Sequence, residues 1–208
     1  MSTIRVPPGR TGRLWLRHRL DTASRGAALL EQKLRALREE QSPLAQRVRR
    51  SGEEWARQAQ EAQSWLLRAA LVGGQRGIRL AGTNEPAAVR ITWTTAMGVR
   101  YPSDAVCMLP PADSPSPPGS MAIIRAAQAH RLALNVAVRH AVAIAAERVV
   151  GAEVTATSHR VRSLRQHWIP RLQEALARAE LELEEQERSE GVRHRWAAQQ
   201  QEGKDLGR

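Results

Sequence analysis

Apolar residues spaced alternately four and three positions apart, over most of the chain, constrain this fold more than any other feature. The first seam is Leu16, Leu20, Ala23, Ala27, Leu30, Leu34 and Leu37, and its register runs on through Gln41, Leu44, Val48, Ser51 and Trp55. From Trp55 a four-residue step reaches Ala59, then Ala62, Leu66 and Ala69. A second seam holds Val154, Val161, Leu164, Trp168, Leu172, Leu176, Ala179 and Leu183. Heptad spacing keeps one stripe of a helix turned toward a partner helix. Helices of ~60 and ~85 residues, at ~1.5 Å per residue, would span ~90 and ~125 Å. Neither could bury its seam in a compact globule, so the simplest solution pairs them antiparallel.

Composition agrees. There is no Phe, one Tyr and six Trp. The apolar content is mostly Ala, Leu and Val, and the abundant Arg, Glu and Gln favour helix as Ala and Leu do. The expected fold is all-α: a long antiparallel two-helix coiled coil with a small β-hairpin in its middle segment.

The chain divides into an N-terminal tail over 1–12, a first long helix over 13–72 and a middle segment over 73–118. A second long helix over 119–203 and a C-terminal tail over 204–208 complete it. Pro43 lies inside the first helix, where a missing donor costs ~3 kcal/mol; the seam keeps its phase across it, which predicts a bend rather than an end. Gly73-Gly74 is the predicted stop. In the middle, Val89, Ile91 and Trp93 alternate with Arg90, Thr92 and Thr94, and a second run follows Met97-Gly98 with Val99, Tyr101, Val106 and Met108. This pattern predicts a β-hairpin, which needs support from the helices or a partner. The seams lie outside residues 86–117, so the hairpin is expected to be dispensable for helicity. The stretch 110–119 reads as a Pro-rich linker, and Ser120 as a helix cap.

The second helix is apolar on more than one face through Val150, then narrows to its seam. Where the seam takes successive four-residue steps it meets Pro170, a combination that predicts local unwinding. Direct fold-back of the two arms predicts facing residue numbers that sum to about 193. Leu30 is then expected near Val161 or Leu164, and Leu20 near Leu172 or Leu176.

Enzymatic signatures are lacking. Gly73–Gly77 has neither the lysine nor the hydroxyl of a phosphate loop. The histidines at 18, 130, 140, 159, 167 and 194 form no HExxH pair and read as solvated helix-face residues. One cysteine, Cys107, builds no zinc site. The Glu-rich run 180–190 reads as a solvated face. No cofactor, metal or catalytic residue is expected. A net charge of +11 raises nucleic acid or an anionic membrane surface as partners. The positive residues are spread along the chain rather than gathered on one stripe, so solvated helix faces are the reading preferred and no nucleic acid is expected. A basic coiled coil binding nucleic acid, or a scaffold, is the alternative.

The second arm carries Arg160, Val161, Leu164, Ile169, Pro170 and Leu172 in the order R-V-x-x-L-x-x-x-x-I-P-x-hydrophobic. Leu183, Glu187, Arg188 and Glu190 follow, then Arg193 and Arg195. In the first arm Pro8 and Arg10 precede Leu29, Leu30, Lys33, Ala36 and Leu37. These patterns resemble the D subunit family of V/A-type rotary ATPases, with I-P inside a long helix the most specific element. The resemblance implies a non-catalytic central shaft whose paired terminal helices sit inside the hexamer of catalytic A and B subunits. It implies contacts with the F subunit and the C (d) subunit nearer the membrane. It also implies a cytoplasmic, peripheral position on the membrane face, and coupling of ATP hydrolysis or synthesis to proton or sodium transport. Pro43, Ser51-Gly52 and the Pro-rich linker depart from the family pattern. Calorimetric titration of the isolated chain with Mg-ATP is predicted to give no saturable heat; micromolar binding would contradict this reading of Gly73–Gly77.

Overall fold

A computed structural model describes residues 5–80, 85–110 and 121–205, with side chains for all of these except Leu80 and 197–205. The elements in order are α1 (Gly9–Leu80), β1 (Ala88–Ala96), β2 (Val99–Met108), α2 (Met121–Ser163), a π-helical turn (Leu164–Trp168) and α3 (Ile169–Asp205). The helical fold with one central hairpin is as expected. The first helix begins at Gly9 rather than 13. The linker over 111–119 and the Ser120 cap lie outside the described residues.

Gly74 interrupts α1 with φ 63° and ψ 174°, a conformation open to glycine and hostile to side chains. The predicted stop is therefore a break: helix resumes beyond it and runs to Leu80. Pro43 is exposed and lies within α1, whose non-helical backbone is at Gly74. On the solvent side, the carbonyl that proline leaves without a donor can bond water.

The chain forms two units, one of residues 1–32 with 157–208 and one of 33–156. In the first, α1 runs antiparallel to the second arm. Leu16, Ala27, Ile169 and Leu172 are buried there, together with Thr157. Arg17 pairs with Glu180 at 2.7 Å and Arg10 with Glu187 at 2.9 Å, so numbers rise on one arm as they fall on the other.

In the second unit, Leu37 and Leu44 of α1 meet Ala146 and Val150 of α2. Toward the Gly74 break the contacts turn alanine-rich. Ala62 meets Ala129 and Ala133, and Ala69 meets Ile123 and Ala126, with Trp65 packed on both groups.

The hairpin turns through Met97 and Gly98, both at positive φ (50° and 79°), as two-residue hairpin turns require. Its register slips between Thr92 and Trp93, where Ser103 is the extra residue. The bulge falls beside Pro102, which has no N–H to give to the ladder. Thr94 pairs with Tyr101 and Ala96 with Val99, and partners in a pair share a face. On this face Tyr101, Ala96 and Val99 pack against Leu37, Leu44, Val150 and Val154. The hairpin thus rests on the helices of its unit and adds to their core, the support that a two-stranded hairpin needs. The anchor is Tyr101, at 5% exposure one of the most buried side chains in the second unit. Val89, Ile91 and Trp93, whose alternation gave the strand away, stay between 44% and 48% exposed.

The Tyr101 hydroxyl donates to Glu40 Oε1 at 2.5 Å, and Arg47 donates to the Ser103 carbonyl oxygen at 3.0 Å. Burial first, then the hydrogen bond and the charge of Glu40, push the phenol up to about 12. A phenol in an unfolded chain titrates near ~10. The folded state holds this proton more tightly, so the stability it contributes is present below ~10 and is lost as pH rises through about 12. Compared with Tyr101→Phe, the wild-type chain is predicted to lose about 2–3 kcal/mol more across that window. Chemical denaturation at pH 9.5 and 12 measures it, and a constant difference between the two proteins would exclude the buried Tyr101–Glu40 contact.

Candidate functional site

The candidate surface begins with the seam and its polar interruptions, where the residues singled out in the sequence lie. Among the described residues no group of three His, Cys, Asp or Glu side chains could hold a metal ion. No described helix is long and apolar enough to cross a membrane. A cleft of about 400 Å³ lies in the first unit between Val6–Gly9 and α3, lined by Arg178, Glu182 and Leu183. It gathers one arginine and one carboxylate, with no nucleophile beside them.

The structure distributes the predicted seam residues by depth. Leu16, Ala27, Leu34, Leu37 and Leu172 are buried. Leu20, Ala23, Leu30, Val161, Leu164, Trp168 and Leu176 are half-buried. A two-helix contact covers each stripe from one side only, so the flanks of the seam keep partial access to water. Single truncations at the closed positions, such as Leu172→Ala, cost on the order of 2–5 kcal/mol.

Of the motif residues, Ile169 is buried and Pro170 half-buried, while Arg160 and Arg188 lie on the surface. Glu187 receives Arg10 of the other arm, and Arg188 reaches Glu185 only at 3.7 Å. Exposed pairs of this kind contribute ~0–1 kcal/mol each and fix alignment more than stability. Arg165 donates to both Glu31 oxygens, at 2.8 and 3.1 Å. That hydrogen bonding, with the carboxylate charge, raises the already high pKa of the Arg165 guanidinium. In the second unit Lys33 meets Glu153 at 2.9 Å, each about a quarter exposed. The Glu31–Arg165 pair places Leu30 and Leu164 next to facing positions.

The predicted unwinding is a π-helical turn. The Ile169 N–H bonds to the Leu164 carbonyl, five residues back. A π turn inserts one residue into an α-helix. Successive four-residue steps from Leu164 through Trp168 and Leu172 to Leu176 would otherwise rotate the stripe away from α1. The inserted residue returns it, and Leu172 is fully buried one turn later. Pro170, which has no N–H, follows directly where the α-helical ladder is already open.

One polar contact in the seam escaped the sequence reading. His140, read there as a solvated helix-face residue, is half-buried with Nδ1 2.9 Å from Ser51 Oγ. The signal was available: Ser51 is a polar member of the seam, and direct fold-back sets it opposite a residue near 140. Glu40 as the partner of Tyr101 had no such signal, because nothing in the strand pattern tells which face meets the helices.

Each unit pairs its helices antiparallel, the first with a π-interrupted seam and the second with a docked β-hairpin, which defines a helix-dominated protein with one hairpin. The sequence model of the ATP synthase D-subunit family matches residues 14–199, nearly the whole chain, which belongs to that family. It is therefore a rotary ATPase stalk component. Comparison with curated proteins gives no match.

If the π turn exists to keep the seam in phase, removing one residue there should be tolerated. Deleting exposed Gln166 is predicted to leave the helical circular dichroism and thermal midpoint unchanged or raised. Deleting exposed Gln173, after the phase is restored, is predicted to lower the midpoint by ~2–4 °C or more, as a loss of 1 kcal/mol or more does in a chain of this length. Equal effects would contradict the phase argument.

Proposed function

We propose that this chain is the central rotor shaft of a V/A-type rotary ATPase, a non-catalytic component that transmits torque between the catalytic A/B hexamer and the membrane rotor ring. The family match spanning both arms and the hairpin carries this reading. Its partners are the A and B subunits around the paired terminal helices, with the F subunit and the C (d) subunit at the opposite end. The shaft works on the cytoplasmic face of the membrane as a peripheral component. It couples ATP hydrolysis or synthesis to movement of protons or sodium ions.

The physical requirements of a shaft favour the reading. A shaft has to resist twist while presenting a surface that slides. Buried leucines in the seam oppose separation of the arms. Exposed charged side chains form cross-arm pairs, among them Arg10–Glu187, Arg17–Glu180 and Arg165–Glu31.

Affinity purification of the tagged chain from its native host is predicted to recover A-, B- and F-type subunits in a complex that hydrolyses ATP. Recovery of none of them would contradict the shaft reading. Sub-micromolar nucleic-acid binding with a steep salt dependence would favour the alternative instead.

A further inference from the structure

Alignment of two helices is well fixed where large side chains interlock, and poorly fixed where alanine meets alanine. In the second unit, α2 repeats alanine at 122, 126, 129, 133 and 137. Ala126, Ala129 and Ala133 are buried in the clusters of Ala62 and Ala69. Sliding one helix by three or four residues sets alanine over alanine again. Small knobs fill shallow holes, so such a slip forfeits few contacts. Trp65 and Ile123 are the large side chains that resist it.

Between this stretch and the Leu37–Leu44–Val150 cluster stands the Ser51–His140 contact. Ser51 Oγ is 2.9 Å from His140 Nδ1 and 3.2 Å from the Val48 carbonyl oxygen, to which it donates. The hydroxyl has one proton. With that proton given to Val48, His140 Nδ1 is the donor to Ser51 Oγ, and the contact holds with the imidazole neutral or protonated. The ring stacks on Trp55, centroids 5.9 Å apart and planes 16° from parallel. A Cβ at position 52 would sit 3.1 Å from His140 Cε1, so Gly52 leaves the ring its seat. Donor, acceptor, stacking face and gap coincide at one alignment of the helices.

We infer that Ser51 and His140 pin the axial register of α1 against α2 in this unit, with Trp55 and Gly52 shaping the seat of the ring. His140 is a positioning residue. A single polar contact in an apolar seam selects one register at a cost in stability. Leucine at 140 would join the apolar seam and accept the alanine slips. Asparagine would keep an N–H close to the place of Nδ1. The inference goes beyond the rotor reading and does not depend on it.

The full-length chain with Cys107→Ser, Gln63→Cys and Ala145→Cys, nitroxide-labelled at these two exposed positions, which are offset by ~25 Å along the axis so that an axial slip changes their distance, is measured by pulsed dipolar electron paramagnetic resonance. A slip of three or four residues shifts one label along the axis by ~5 Å. The intact pin is expected to give one narrow distance. His140→Leu is expected to give a second distance or a distribution about twice as wide, with the thermal midpoint equal or higher. His140→Asn is expected to restore the narrow one. A narrow single distance in His140→Leu, whatever its midpoint, would overturn the proposal, as would failure of asparagine to narrow the distribution. If His140→Leu does not fold, Ser51→Ala takes its place with the same expected broadening, and a narrow distance there overturns the proposal equally.

Discussion

An apolar stripe on a long helix has to be covered, and here the cover available to each arm is the other arm. Everything else in the structure adjusts to that burial. In the first unit it is made by Leu16 and Ala27 with Ile169 and Leu172, and in the second by Leu34, Leu37 and Leu44 with Ala146 and Val150. Burying such a side chain contributes about 1.5–3 kcal/mol. The cross-arm ion pairs are too exposed to match that. They settle which residues face each other once burial has brought the arms together.

Burial along a seam demands continuous phase, and the irregular features follow from that demand. The π turn at Leu164–Trp168 absorbs a residue that would have turned the stripe outward. Gly74 breaks α1, and Ile78 beyond the break still packs against Ile123 and Ala126. The hairpin supplies a third surface over the Leu37–Leu44 cluster through Tyr101, whose hydroxyl is satisfied by Glu40 rather than left bare. Where the interlocking leucines give way to alanine, a serine and a histidine take over the task of alignment.

Much of this was legible in the residues. The four-and-three spacing indicated the two arms and their antiparallel pairing, because heptad periodicity survives averaging over many turns, whereas their alignment rested on where the arms end and fold back. The succession of four-residue steps before Pro170 gave the unwinding, because a change of period is local and countable. The hairpin was visible in the alternation of Val89, Ile91 and Trp93, yet these three side chains are the ones left 44–48% exposed. Alternation shows that two faces exist and is silent on which one a distant helix will cover. For the same reason Tyr101, one aromatic in a short strand, gave no sign that it anchors the hairpin. His140 was missed because an isolated histidine on an apolar helix has no periodic signature; only its position opposite Ser51 distinguishes it.

The shaft role proposed for this chain requires it to turn with its seam closed. The most direct measurement attaches a gold nanorod to a cysteine replacing the exposed Val106 of the hairpin, in a chain carrying Cys107→Ser, assembled with surface-held A and B subunits. With Mg-ATP the rod is predicted to rotate in one direction and to stop when ATP is withdrawn. A rod that stays fixed while the same complexes hydrolyse ATP would contradict the account of this chain as the shaft.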